Sequence, residues 1–284
     1  MGRPLAIYLL TAQLTMMSVV GCTAVNENPA RRLGEGEAGC GESWSLAFEE
    51  DFSDASYEDR WFLDGFADLS LEGEGGTRHL RIKIRPSADN PKNFQSVLWC
   101  REKFLGDLRF RFRAKGESGN ASIFYFNANP TKDSGYDSIF DWVRPDAQMA
   151  RYAGSGKMEM YSVGLLRNTA KCNFRYIGGG TVHAYNRPNR QQDRAYDKAT
   201  LICSYDSPFE GKPDTWFEFD LQIVGNRITL EVDGEKVLDV QDNGKTEPGV
   251  FSRMPLTRGG FFGFRNFKPS AVCVDYIKVY RRQR

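Results

Sequence analysis

Hydrophobic and polar side chains alternate along much of this chain, and the alternation has the period of a strand. The sharpest run is DLRFRFR at 107–113, with Leu108, Phe110 and Phe112 on one side and Arg109, Arg111 and Arg113 on the other. Over 216–224, Phe217, Phe219, Leu221 and Ile223 alternate with Glu218, Asp220 and Gln222. Gly225-Asn226 then turns the chain, and Ile228, Leu230 and Val232 resume the alternation. Asp233-Gly234 is a tight-hairpin dipeptide leading into 236–240. Further strands are predicted at 44–52, 67–72, 79–84, 95–100, 121–127, 259–267 and 271–280, and 73–76 reads as a Gly-rich turn. Helical periodicity is weak beyond the first twenty residues. Short alternating strands, turn signals and many aromatics predict an all-β fold, a two-sheet antiparallel sandwich from about Trp44 to Tyr280.

One stretch gathers polar chemistry: KMEMYSVGLLRNTAKCNFR at 157–175. It opens as a strand, so Glu159 and Tyr161 share one face, and Met158, Met160 and Ser162 share the other. Arg167, Asn168, Asn173 and Arg175 follow. A carboxylate, a phenol, amides and guanidinium groups suit a sugar or an anion. The longest loops flank this strand. Residues 129–153 hold Tyr136, Asp137, Asp141 and Trp142, and 176–198 hold His183, Tyr185 and Asn186. The expectation is a groove with Glu159 and Tyr161 pointing into it, walled on one side by the 129–153 loop and on the other by the segment from Arg167 to His183. A one-residue slip would put the methionines there instead. The three-arginine face at 109–113 reads first as the wet side of a sheet, with attraction for acidic glycans as the other use.

The 284-residue chain opens with one charge, Arg3, and a mostly apolar run to Val20. That run is short and interrupted for a membrane span. Val19-Val20-Gly21-Cys22 resembles a lipobox, so residues 1–21 read as a lipoprotein signal peptide, with Cys22 lipidated. Residues 22–42 read as a tether and 43–284 as the sandwich domain. This predicts an exported, membrane-anchored lipoprotein, periplasmic or at the cell surface. Five other cysteines remain, an odd number, and neither they nor His79 and His183 have zinc spacing. No metal or cofactor is predicted, with structural calcium left open. A net charge of +1 gives no global field for nucleic acid.

GFFGFRNF at 260–267 followed by VCVDYIKVY at 272–280 resembles the last strand pair of laminin-G, concanavalin A-like and galectin-like jelly rolls. TWFEFDLQIVGNRITLEVDGEKVLDV at 215–240 has their hairpin look. In order, QSVLWCREKFLGDLRFRFRAK, YDSIFDW, MYSVGLLRNTAKCNFR and GGFFGFRNF resemble the domain-of-unknown-function family 1961, a galectin-like sandwich family. Its signature maps onto Tyr161, Arg167 and Asn168, although a second Arg would be more typical than Asn168. The resemblance implies a concanavalin A-like jelly roll and a role in polysaccharide use. Glycoside hydrolase family 16 shares the sandwich but uses an E-x-D-x-x-E strand. Here Glu218-Phe-Asp220-Leu-Gln222 runs on into Ile223 and Val224, without the second Glu. The lipoprotein 3-keto-disaccharide hydrolases share fold and tether, but their motifs do not map securely.

These readings converge on an exported lipoprotein that acts on or binds an oligo- or polysaccharide. A lyase needs a cation to neutralise a uronate and a Tyr or His to move protons, which Arg167, Arg175, Tyr161 and His183 supply. A hydrolase needs two carboxylates, Glu159 with Asp137 or Asp141. The candidate catalytic residues are therefore Glu159, Tyr161 and His183. The candidate substrate-binding residues are Arg167, Asn168, Arg175, Tyr136, Asp137, Trp142 and Trp99. A non-catalytic glycan-binding lipoprotein is the alternative, with Trp99, Trp142 and Tyr136 stacking on sugar faces.

Overall fold

The computed structural model describes residues 43–74, 78–86, 95–117, 122–142, 156–178, 200–246, 253–267 and 271–283. They build two antiparallel sheets, with strands numbered along the chain. The first sheet holds β1 (Trp44–Glu50), β3 (Ala67–Glu72), β4 (His79–Ile84), β7 (Leu108–Gly116), β12 (Phe217–Val224), β13 (Arg227–Val232), β14 (Glu235–Gln241) and β16 (Ala271–Arg282). Its order is β14-β13-β12-β7-β16-β4-β3, with β1 also paired to β16. The second holds β2 (Trp61–Gly65), β5 (Gln95–Cys100), β6 (Phe104–Leu105), β8 (Ser122–Pro130), β9 (Met158–Leu165), β10 (Lys171–Ile177), β11 (Leu201–Asp206) and β15 (Gly259–Phe267). Its order is β11-β10-β9-β8-β15-β5-β2, with β6 against β15.

The core between the sheets is aromatic. Leu108, Phe110 and Phe112 of β7, Phe217 and Phe219 of β12, Phe124 and Phe126 of β8, and Phe262 and Phe264 of β15 all point into it. Phe112 stacks on Phe219 in its own sheet at 4.7 Å and on Phe124 across the gap at 5.0 Å. Each such pair adds about 0.5–1.5 kcal/mol beyond the area it buries. The predicted Asp233-Gly234 hairpin is present, with both residues at positive φ, 52° and 81°. That is the type I′ geometry whose twist fits the flanking strands.

The arginine face of β7 is an ion-pair ladder on the outer side of the first sheet. Arg109 Nε donates to Asp220 at 2.9 Å, Arg113 Nη1 lies 3.1 Å from Asp275, and Arg111 Nε lies 3.7 Å from Asp220. Cross-strand carboxylates thus account for this face. Among the described residues Cys100, Cys172, Cys203 and Cys273 are free thiols. Burial pushes Cys100 and Cys273 up to about 12, so both stay protonated and inert.

β2, β10 and β11 are absent from the sequence reading. The 176–198 stretch, read as loop, begins inside β10. Cys172, Phe174 and Tyr176 face the core while Asn173 and Arg175 alternate with them. The period is present, but polar outward residues mask its apolar half.

Candidate functional site

Strand β9 presents its side chains the other way round from the expected groove. Tyr161, Val163 and Leu165 face the core between the sheets, and Tyr161 is 1% exposed. Met158 and Met160 face the outer side, where they pack with Trp99, Tyr125, Ile139, Ile177 and Phe261. The Tyr161 ring is held between Phe126 and Phe174, at 5.4 and 5.3 Å. Outside, the 3-10 turn Ile139–Asp141 packs over the sheet, so the methionines are buried too. A strand buried on both faces carries apolar groups in both phases, and alternation cannot choose between them.

Trp99 is corrected for the same reason. It is fully buried, stacked on Tyr125 at 5.7 Å. Gly263 makes the space, since a Cβ there would sit 2.8 Å from the Trp99 ring. The indole is a floor beneath the turn, not a shelf for a sugar. Trp142 is half-buried against the same cluster.

Glu159 sits at the rim, where β8 ends, β9 begins and β10 ends. The connections 143–155 and 179–199, which lie outside the described residues, join the sheet at this end. Gly178 packs directly on Glu159: a Cβ at Gly178 would lie 2.8 Å from the Glu159 Cα, and its φ is 152°. The Glu159 side chain is 22% exposed. Its Oε1 accepts from Arg258 Nη2 at 2.7 Å, and its Oε2 faces the Tyr176 hydroxyl at 3.5 Å. Arg258 also donates to the Pro130 carbonyl at 3.2 Å.

Behind this rim is a buried clamp. The Arg253 guanidinium lies over the Tyr176 ring at 3.9 Å from its centroid. Arg253 donates to both Asp242 oxygens, at 2.7 and 3.2 Å. Asp242 also accepts from the Tyr161 hydroxyl and from Gly244 N at 3.0 Å. The Tyr161 oxygen accepts from Leu256 N at 2.9 Å. Tyr161 is therefore the rear support of the cluster. Burial, reinforced by the Glu159 charge, pushes the Tyr176 phenol up to about 12. Burial and Asp242 likewise raise Tyr161 far above the ordinary phenol range. Both are protonated donors at neutral pH.

Tyr161→Phe should accordingly act on stability. It leaves the buried Leu256 N–H without an acceptor and removes one of the donors to Asp242, for an expected loss of about 1–3 kcal/mol. Urea unfolding measures it, and a variant as stable as the parent would remove Tyr161 from the clamp.

The sheet divides the other candidates. Arg167 lies over Gly164 and Arg175 stands on the outer face, opposite in direction to Glu159 and Tyr161. Arg175 Nη1 donates to Thr200 Oγ1 at 2.9 Å. Its Nη2 reaches Asn173 Oδ1 at 2.9 Å once that amide is turned to satisfy both ends. Asn168 is exposed and ties loops together, its Oδ1 accepting from Gly211 N at 2.8 Å. Asp141 caps the 3-10 turn through Ser138 N at 2.9 Å, and Asp137 is exposed. Tyr136 is half-buried, with Lys157 Nζ 5.0 Å from its ring centroid. His183 and Cys22 lie outside the described residues. Among those residues no group of three or more His, Cys, Asp or Glu could hold a metal.

Tyr176, Asp242, Arg253 and Arg258 were not anticipated. The signal available was 242–258, a charged, Gly- and Pro-bearing stretch between two clear strands. An irregular stretch with two arginines and an aspartate between sheet elements has to place those charges somewhere.

The family described as 3-keto-alpha-glucoside-1,2-lyase-like domain matches residues 63–268. No curated protein matches the sequence. Among solved structures, a galectin-like protein of unknown function from Bacillus subtilis is similar, with 16% identity and a TM-score of 0.63 over 86% of this chain and 99% of that one. The non-specific endo-beta-1,3(4)-glucanase SCLam of family GH16 shares 12% identity and a TM-score of 0.52, covering 84% and 92%. A kappa-carrageenase from Zobellia galactanivorans shares 10% and 0.51, covering 87% and 98%. At these identities the likeness is one of fold, the two-sheet jelly roll.

Proposed function

This chain belongs to the 3-keto-alpha-glucoside-1,2-lyase-like domain family, and from that premise we propose that it is an exported, lipid-anchored protein that cleaves a keto-sugar glycoside at the Glu159 end of its second sheet. A ketone at C3 makes the C2 hydrogen acidic, because the electron pair left on C2 spreads onto the ketone oxygen. In a 1,2-elimination a base takes that proton, the pair becomes the C1=C2 bond, the C1–O bond breaks, and the departing oxygen is protonated. The Glu159 carboxylate is the base in this reading. Tyr176, 3.5 Å away and protonated, is the donor to the departing oxygen. Arg258 supplies positive charge for the enolate. Tyr136 offers a ring face to the sugar beside this end. His183 lies outside the described residues, and its proposed part as a further proton carrier rests on its residue type alone.

The observation that carries the reading is the convergence of the partly exposed Glu159 carboxylate, the protonated Tyr176 phenol and the Arg258 guanidinium at the rim where β8 ends, β9 begins and β10 ends. A two-carboxylate hydrolase is less favoured. Asp242 is fully buried in an ion pair, and Asp141 is used as a cap. The kinship with family 1961 is proposed as more distant, resting on the ordered strings alone.

The parent protein incubated with a 3-keto-α-glucoside should release the aglycone and form a conjugated enone, seen in the near ultraviolet. An intact keto-glucoside alongside reducing ends from neutral polysaccharides would make it a hydrolase. Binding without turnover of any sugar would make it a glycan-binding protein.

The anchor is proposed from Val19-Val20-Gly21-Cys22. Cys22→Ser should shift the protein from the membrane to the soluble fraction. Retention equal to the parent would sink the proposal.

A further inference from the structure

The outer face of the second sheet carries charge that the Glu159 site does not use. Gly164 on β9, Ile123 on β8, Arg265 on β15 and Val97 on β5 form one cross-strand row. Arg167 lies along Gly164, its Cδ 3.4 Å from where a Cβ would be. Two strand spacings, about 10 Å, separate Gly164 from Arg265. Arg175 stands on β10 beside this row, linked to Thr200 and Asn173.

Arg265 is 6% exposed. Its Nη2 donates to Gln95 Oε1 at 2.8 Å, and its guanidinium sits 5.0 Å from the Phe267 ring centroid. Its Nε and that of Arg167 are inaccessible and have no hydrogen-bond partner. Among the described residues no carboxylate forms an ion pair with either arginine. Several other arginines of the fold have a carboxylate partner. Arg81 is paired with Glu117, Arg109 with Asp220, Arg227 with Asp239 and Arg253 with Asp242. A guanidinium taken out of water without a counter-charge is costly, and an anion arriving from outside would relieve it.

We propose that this trough binds the anionic group of an acidic saccharide, a carboxylate or a sulfate. Gly164 and Ile123 are its floor, Arg167 and Arg175 one wall, and Arg265 with Gln95 the other. The planar guanidinium fork suits either oxyanion. The site stands apart from the elimination chemistry and does not depend on it.

Calorimetry on the full chain with three probes of equal length tests it: an oligoglucuronate, a sulfated galactan oligosaccharide and a neutral oligoglucan. At least one charged probe should bind tenfold or more tightly than the neutral one, and added salt should weaken it. The charged probe that binds identifies the group. Arg167→Gln, half-exposed and safe for folding, should weaken that probe at least tenfold, and Arg265→Gln likewise. Arg109→Gln, on the other sheet, should leave binding unchanged. Equal binding of all three probes, no binding of either charged one, or parental affinity in the Arg167→Gln variant would each overturn the proposal. The readout is binding, so it stands or falls separately from turnover of a keto-glucoside.

Discussion

Glu159→Gln should lower turnover of a 3-keto-α-glucoside by roughly 10²–10⁴, the usual contribution of a positioned general base. The substitution keeps the shape, and its amide oxygen still accepts from Arg258, so binding of the sugar should change little. Stability should hardly move, because the Glu159–Arg258 pair is open to solvent and such pairs contribute about 0–1 kcal/mol. Initial rates of enone formation, read beside thermal unfolding, separate the two effects. A variant within threefold of the parent rate would remove Glu159 from the chemistry. A parallel loss of rate and of folding would make it a structural residue. Tyr176→Phe should reduce the rate less for good leaving groups than for poor ones, because a donor matters only where the departing oxygen needs its proton.

Asp242→Ala should be the most damaging change to stability, by about 3–5 kcal/mol, the range for breaking a buried ion pair by removing one partner. Arg253 would lose its counter-charge at 9% side-chain exposure, and Gly244 N and the Tyr161 hydroxyl would lose their acceptor. Domains of this kind have some 5–15 kcal/mol in total, so the loss is a large fraction. Guanidinium unfolding measures it, and removing the stranded cation as well, in Asp242→Ala with Arg253→Met, should recover part of it. A loss below about 1 kcal/mol would show the pair to be dispensable, against the expectation for a buried charge.

Most of the first sheet was legible, because its strands are half-wet. Arg109, Arg111 and Arg113 alternate with Leu108, Phe110 and Phe112, and the pattern named both the strand and its faces. The second sheet was harder for a physical reason. Around Met158–Leu165 both faces are covered, one by the opposite sheet and one by the 139–141 turn, so Met160 and Tyr161 are equally buried. Glu159 was singled out by its type, not by its face. Tyr161 was found for the wrong side, since a phenol serves as well to tie down a loop as to move a proton. Arg253 and Arg258 were out of reach because their partners Asp242 and Glu159 are distant or unordered in sequence. Arg265 hides inside a strand of phenylalanines, where a single cation looks incidental until its lack of a carboxylate is seen.

The pairing of β1 with β16 has a consequence for handling the molecule. Trp44 lies opposite Arg282, and Gln283 N donates to the Ser43 carbonyl at 2.8 Å. The domain thus enters and leaves at one corner. A linker of a few residues should close that corner, and the chain could be reopened at the exposed Asp233-Gly234 turn to give a circular permutant with both sheets intact. The same geometry governs labels. A reporter added after Gln283 would emerge beside Ser43, whereas one inserted at Asp233-Gly234 would stand at the opposite end of β13 from the turn that bonds to Asp107.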